Sequence, residues 1–443
     1  MPTSTVAETR TVLVVGLGHV GQPLAAMLAD AGLTVYGVDK DPETIERICS
    51  NDSHVREPKL SELLARHLNH RLIVGPPESI IGIPIDATVI SVESAYEKLT
   101  STPDLESLEK ATTFVGSTLK TGHLVIVRTT VPIGTTRSMT IPILETASGL
   151  EAGRDFGVAY CPERVVEGAA LDELGRTPQV VGAIDEGSSL SAEAIFRRIT
   201  RRVVRVSSLE GAEAIKLIDN AYRDTRFAFA NTIAELSERA GLNSWELIRA
   251  ANLDYPRNSI PVPSPGVGGS CIPKDSLFLE HAARTAGTSL PLISAARAVN
   301  EEGPKRIARR LSGLLSLRAA NVFIAGFAFK GVPETGDMRD SPTLALLEEL
   351  KRHCAQITGY DPSVPSDRIA ALGITPVETL EVGLRTSRVS IFMTNHQAFA
   401  TMSTRQLIQI LPRDGVVVDG WGLFDPDECQ RSGLTYIGVG IGT

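Results

Sequence analysis

The sequence has no block of lysine or arginine, no apolar run approaching the roughly 20 residues that a membrane helix requires, and only five cysteines in 443 residues. Each absence excludes something. Without a basic block, and with a formal net charge of -8, neither a nucleic-acid groove nor contact with an anionic membrane is indicated, and a small-molecule ligand fits better. The opening "MPTSTVAETR" lacks the basic-then-apolar pattern of a secretory signal, so cytoplasmic residence is the expectation. Cys49, Cys161, Cys271, Cys354 and Cys429 are far apart, odd in number and form no CxxC pair, which argues against a disulfide framework and a zinc site and for reduced thiols. The eight histidines show no HxxxH spacing, so no metal is expected.

What is present is the material of two or three globular domains, with 42% hydrophobic residues. The apolar run Thr11–Val15, then "GLGHVG", then the alanine- and leucine-rich "QPLAAMLADAGL", then "TVYGVD" read as strand, turn, helix and strand. Further β-branched runs at "ATVISV", "HLVIVRTTV" and "FGVAYC" predict a parallel sheet with crossover helices. From about Gly211 the texture becomes a long helical segment suited to a connector or dimer seam. After it "NVFIAGFAF", "VSIFMT" and "GVVVDG" resume the β/α alternation. The fold class predicted is α/β, with two Rossmann-like doubly wound domains joined by a long central helix.

Gly16, Gly18 and Gly21 sit where glycine permits a tight turn, a backbone close to a pyrophosphate and close helix packing. A ligand-free turn would need the same residues, but Asp39 follows at the end of the second strand, where a carboxylate binds ribose hydroxyls and repels a 2′-phosphate. NAD is therefore preferred to NADP. Lys216 and Asn220 lie one helical turn apart and share a face; taken alone they read as a solvated lysine and a surface amide. Glu163, after a proline at the end of an apolar run, has no role on its own evidence, and Cys161 reads as a packed thiol.

Cys271, in "PGVGGSCIPKD", is different. Gly266, Gly268 and Gly269 would let backbone approach a ligand, while Pro273 can open a helix whose N-terminus, with Lys274, favours a thiolate. Buried structural cysteines seldom occupy such a stretch, so Cys271 reads as reactive. Lys330 in "GFAFKG" and Arg339 in "TGDMRDSP" suit phosphate or remain exposed cations.

In this order "GLGHVG", "TTVPIGTT", "CPERVVEG", "KLIDNAYRD", "PGVGGSCIPKD", "GFAFKG" and "TGDMRDSP" resemble the UDP-glucose/GDP-mannose dehydrogenase family over nearly the whole chain. The resemblance implies an NAD-binding domain over residues 1–205, a central helical dimerisation domain over 206–305 and a C-terminal nucleotide-sugar domain over 306–443. It implies oxidation of a sugar C6 alcohol to the uronic acid in two hydride transfers, with Cys271 as covalent nucleophile through a thiohemiacetal and a thioester. By the same matching Glu163 activates water, Lys216 and Asn220 steady the oxyanion, and Asp275 helps hold the water. Gly16, Gly18, His19, Val20, Gly21, Asp39, Thr130, Glu167 and Arg339 match cofactor contacts, and Arg257, Gly266, Gly268, Phe329 and Lys330 match substrate contacts.

Arg164, also assigned to the substrate, and "RDTRFAFAN" resemble the enzymes acting on UDP-N-acetylmannosamine or UDP-N-acetylglucosamine. The partners implied are a nucleotide sugar and a second copy, as a homodimer or higher homo-oligomer, with no nucleic acid and no membrane. The sequence departs from the family at Glu93, Ser94 and Ala95, where a Pro-Thr-Pro-like stretch is usual, and at Trp421, where many relatives carry arginine. A carboxylate near a pyrophosphate is unfavourable unless turned away, and loss of a cation reshapes recognition of the sugar nucleotide. The other readings are a UDP-glucose or GDP-mannose 6-dehydrogenase, a two-electron hydroxy-acid dehydrogenase, or an NAD and nucleotide-sugar binding protein without turnover.

Overall fold

The computed structural model describes residues 9–442 except 54, 56, 98, 99 and 355. The chain divides into two compact units, residues 1–219 with 277–288, and residues 220–276 with 289–443.

The first unit is built on ten strands: β1 (Thr11–Val15), β2 (Thr34–Val38), β3 (Leu72–Gly75), β4 (Ala87–Ile90), β5 (Ala95–Glu97), β6 (Thr102–Asp104), β7 (Leu124–Val127), β8 (Gly157–Tyr160), β9 (Gln179–Ala183) and β10 (Val203–Arg205). Eight form one sheet in the order β10-β9-β8-β7-β4-β1-β2-β3, and β5 and β6 form a separate antiparallel pair. The central strands β4 and β7 are buried along their whole length, which their unbroken β-branched runs require when helices cover both faces. One apolar cluster gathers Val12, Val14, Leu24 and Ala159; another gathers Leu13, Ile90, Val125 and Leu144.

The sheet departs from the parallel expectation at one step, because β9 pairs antiparallel to β8. The chain leaves the carboxyl end of β8 and re-enters the sheet from that same end, so residues 161–178, which include "CPERVVEG", never cross a face. They are retained at the edge where open α/β sheets present functional groups. Glu57 fixes this excursion, its carboxylate accepting from the Gly168 N–H at 2.5 Å and the Ala170 N–H at 2.8 Å.

The second unit contains a six-stranded, wholly parallel sheet: β11 (Asn321–Ala325), β12 (Gln356–Tyr360), β13 (Thr375–Pro376), β14 (Val389–Phe392), β15 (Val416–Asp419) and β16 (Thr435–Gly438), in the order β13-β12-β11-β14-β15-β16. Its strand order reverses between β11 and β14, the position at which doubly wound sheets open a ligand crevice. The helix Leu209–Ala240 spans 32 residues, about 48 Å at 1.5 Å per residue, and begins in the first unit and ends in the second. No helix among the described residues is long and apolar enough to cross a membrane.

Candidate active site

In the first unit the turn after β1 is built by its glycines. Gly16 has φ +90°, and a Cβ on Gly21 would stand 1.8 Å from the Gly16 carbonyl oxygen, so neither position admits a side chain. A Cβ on Gly18 would meet nothing within 4 Å. The small residue there is therefore free to serve a ligand. The helix Gly21–Asp30 starts without a side-chain cap; the Gln22 N–H goes to the Gly18 carbonyl at 3.1 Å and Pro23 has none, which leaves the Gly21 N–H, beside His19 and Val20, for an anion. Asp39 is half-buried and accepts from the Leu17 N–H at 2.7 Å and the Asp41 N–H at 3.0 Å; a carboxylate has lone pairs left for two ribose hydroxyls. These features fit NAD. His19 lies 3.6 Å from the Glu167 carboxylate, which brings the glycine turn beside the excursion after β8. Thr130 is half-buried, and its carbonyl accepts from the Ser94 hydroxyl at 2.6 Å, so the stretch that departs from the family pattern hangs on the segment after β7.

The same unit holds Glu163 and Lys216, both buried, with Nζ 3.4 Å from Oε2. The other Glu163 oxygen accepts from the Val165 N–H. Arg164 turns to Asp219, Nε to Oδ2 at 2.7 Å, and donates to the Pro178 carbonyl. Glu213, three residues before Lys216 on the long helix, accepts from the Gly134 N–H at 2.5 Å and from the Thr136 N–H and hydroxyl at 2.8 and 2.6 Å. It anchors the "TTVPIGTT" turn to the long helix. Burial pushes its carboxyl above the usual range, against those hydrogen bonds.

In the second unit Cys271 is exposed at the head of the helix Ile272–Thr285, its sulfur 3.6 Å from the Ser270 hydroxyl. Cys161 is fully buried beside Arg128, and burial pushes its thiol up to about 11 although the guanidinium opposes the shift. Cys161 is thereby a packed thiol, and Cys271, like Cys49, an exposed one. Asp275 is buried one turn after Cys271 and accepts from the Asn220 amide at 2.6 Å, with Lys274 Nζ 3.1 Å from its other oxygen. Lys216 and Asn220 project from one face of the long helix.

The glycines before Cys271 serve the chain itself. A Cβ on Gly268 would stand 2.1 Å from the Asp340 carbonyl oxygen, and one on Gly266 3.0 Å from the Asn300 carbonyl oxygen; Gly269, at φ +89°, lies against the Phe329 ring. Phe329 and Lys330 are half-buried at the crevice end of β11, with Nζ 5.4 Å from the ring centroid. Arg257 is exposed and stacks over Tyr255 at 4.4 Å. Arg339 grips Asp337 through Nε and Nη2 at 2.9 to 3.1 Å. Trp421 is half-buried, its indole N–H donating to the Met393 carbonyl at 2.9 Å.

Sequence reading passed over Asp219, Asp224 and Arg297. Asp224 had a signal: it continues the face of Lys216 and Asn220 by one more turn. Arg297 had none, because its partners are distant in sequence.

The chain matches the sequence models of three domains: the NAD binding domain of the UDP-glucose/GDP-mannose dehydrogenase family over residues 10–200, the central domain over 210–302 and the UDP binding domain over 323–426. It is 31% identical over 439 residues to a UDP-N-acetyl-D-mannosamine dehydrogenase of Pyrococcus horikoshii, covering 97% of this chain and 99% of that one. Among solved structures it is similar to a UDP-D-ManNAc dehydrogenase from Pyrococcus horikoshii, with TM-score 0.87, 30% identity and coverage of 97% and 99%. It is also similar to a UDP-glucose dehydrogenase from Pyrobaculum islandicum, with TM-score 0.87, 28% identity and coverage of 100% and 99%.

Proposed function

This chain belongs to the UDP-glucose/GDP-mannose dehydrogenase family, and we propose that it oxidises the C6 alcohol of a UDP-N-acetylhexosamine, UDP-N-acetylmannosamine first, to the uronic acid. NAD, held by Gly16, Gly18, Gly21 and Asp39, supplies the hydride acceptor twice. The observation that carries the reading is the contrast of thiols: Cys271 is accessible at a helix head, in a loop shaped by glycines, while Cys161 is sealed. Removal of the first hydride and a proton converts the alcohol to an aldehyde. The Cys271 sulfur adds to its carbon, and the resulting thiohemiacetal loses a second hydride to become a thioester. Water then attacks the thioester carbon; the C–S bond breaks and the thiol is returned. The balance is one alcohol, two NAD and one water giving one acid, two NADH and two protons, plus the proton that the acid releases.

In this scheme Glu163 takes the proton from the attacking water, with Lys216 holding its carboxylate. The Lys216 ammonium and the Asn220 amide are the donors for developing negative charge on the substrate oxygen, and Asp275 orients Asn220 through their 2.6 Å bond. The preference for an N-acetylhexosamine rests on Arg164 and on the Pyrococcus horikoshii relative, since the fold is equally similar to a glucose enzyme. Tyr222, Phe229 and Leu236 recur at every seventh position of the long helix and are exposed, at 63%, 53% and 58%. This heptad stripe supports a homodimer through that helix. The free thiols suit a reducing compartment, the cytoplasm.

The test is Cys271→Ser with UDP-N-acetylmannosamine and NAD, products identified by mass. Acid formation should be lost while NAD binding persists; undiminished uronate would sink the cysteine mechanism.

A further inference from the structure

The segment Ser264–Ser276 carries Cys271, and a buried polar cluster with no part in the chemistry above holds it at both ends and in its middle. Asp224 and Arg297 are buried and joined Nη1 to Oδ1 at 2.9 Å. The second terminal nitrogen of Arg297 donates to the Val267 carbonyl at 3.0 Å, within the glycine loop. Asn300 donates to the Asp224 carbonyl at 2.9 Å and its carboxylate at 2.7 Å. Asn231 donates to the Asn300 side chain at 2.9 Å and accepts from the Ser264 N–H at 2.8 Å. At the far end the Ser276 hydroxyl donates to Asp224 at 3.0 Å. Gly303 completes the seat, since a Cβ there would stand 2.5 Å from the Pro265 carbonyl oxygen.

Two features separate this cluster from ordinary packing. A buried ion pair is a poor way to gain stability, because apolar residues of equal volume serve as well or better, yet here an ion pair and two amides are kept together. Their hydrogen bonds end on the backbone of one loop rather than on one another alone. The cluster also runs parallel to the site: Asn220 bonds Asp275, and one turn further along the long helix Asp224 bonds Ser276. The loop that presents the thiol and the helix that presents the amide are thereby tied to the same carboxylate.

We propose that the Asp224–Arg297 pair, with Asn231 and Asn300, is a positioning device for the Cys271 loop, and that Arg297 is a positioning residue for thiol attack on the aldehyde. The inference rests on the reading of Cys271 as the nucleophile. Arginine suits this place because its rigid planar fork presents two separate nitrogens, one to a carboxylate and one to a carbonyl, where lysine offers a single nitrogen on a flexible stem.

Arg297→Lys tests this, since it keeps the charge opposite Asp224 and gives up the bond to Val267. Hydrogen–deuterium exchange of the free enzyme should become about tenfold faster across residues 264–271 and stay within about twofold elsewhere in the second unit. With UDP-N-acetylmannosamine, kcat should fall by about 30-fold while KM for NAD stays within about twofold, because a misplacement near 1 Å costs up to about 100-fold in rate. Unchanged exchange would overturn the anchoring, and faster exchange with unchanged kcat would overturn the positioning role. Should Arg297→Lys fail to fold, Ser276→Ala decides: about threefold faster exchange in 272–276 with a similar loss of kcat supports the device, and no change in either refutes it. Exchange is read without substrate, so a failure of the cysteine mechanism, seen as intact acid formation by Cys271→Ser, is distinguishable from a failure of the anchoring.

Discussion

The two units contain the same turn put to different uses. After β1 the chain reverses at Gly16, with φ +90°, and Leu17 donates its N–H to the carboxylate that ends β2, Asp39. After β11 it reverses at Gly326, with φ +97°, and Phe327 donates its N–H to the carboxylate that ends β12, Asp361, at 2.6 Å. Even the strand contacts repeat: Gly16 N–H to the Val38 carbonyl and Gly326 N–H to the Tyr360 carbonyl, both at 2.9 Å. The difference is what the carboxylate has left to offer. Asp361 is buried and accepts four backbone N–H groups, from Phe327, Ala328, Ser363 and Val364. Asp39 is half-buried and accepts two. One closes its turn and is consumed; the other closes its turn and stays available to a ribose. The first turn also leads within a few residues into a helix that no side chain caps, whereas the second is followed by a long loop before the helix Pro342–Lys351. The lesson is that an Asp after the second strand is a structural requirement of the turn first, and a candidate cofactor ligand only where it has acceptor capacity left.

That comparison can be broken most forcefully at Asp361. Asp361→Ala strands four backbone donors and should lower stability by about 4 kcal/mol, read by denaturant unfolding, with Kd for NAD unchanged in any fraction that remains folded. A change in NAD affinity there would erase the distinction.

A second contrast is acid sensitivity. His123 in the first unit is buried beside Thr88 and its imidazole is pushed down to about 4, chiefly by burial. A histidine that stays neutral in the folded chain while the unfolded chain takes up a proton near 6.5 destabilises the fold as pH falls from about 6.5 to 4, by about 3 kcal/mol in all, and adds nothing above pH 7. His123→Gln should flatten this slope in pH-dependent unfolding of the first unit and leave the second unit's transition unmoved. An unaltered slope would remove His123 as its cause.

The smallest effect sharpens the comparison from the other side. Asp39→Ala gives up two backbone bonds and the proposed ribose contacts; it should raise Kd for NAD by about 30-fold, equivalent to about 2 kcal/mol, at a smaller stability cost than Asp361→Ala. Isothermal titration checks it, and unchanged affinity would mean that Asp39, too, is only a turn residue.

Much of this was legible in the sequence, and for identifiable reasons. The first glycine turn is written in contiguous residues whose roles are local: a positive φ at Gly16, no room for a Cβ at Gly21, open space at Gly18. The strands β1, β2, β4, β7, β8, β11, β14 and β15 are legible because sheets covered on both faces need continuous apolar runs, whereas the short strands towards the sheet edges, among them β3, β10, β13 and β16, are not. Asp361 carries no comparable signal, because "GYDP" has no glycine fingerprint around it. The antiparallel β9 was not legible, since edge pairing is decided by where the preceding excursion leaves the chain. Glu163 and Lys216 carry no signal singly and meet only in three dimensions; Asp224 shows its helix face in the sequence, but its pairing with Arg297 also appears only in three dimensions. The glycines before Cys271 looked like room for a ligand, whereas Gly266 and Gly268 are filled from the chain's own side, which no spacing reveals.

The most direct test of the account is the number of NADH molecules released per UDP-N-acetylmannosamine consumed by the full chain, with the product identified by mass. Two NADH and the uronic acid are predicted, because in the proposed mechanism Cys271 retains the aldehyde carbon for a second hydride loss. One NADH with an aldehyde or ketone as the final product would contradict it.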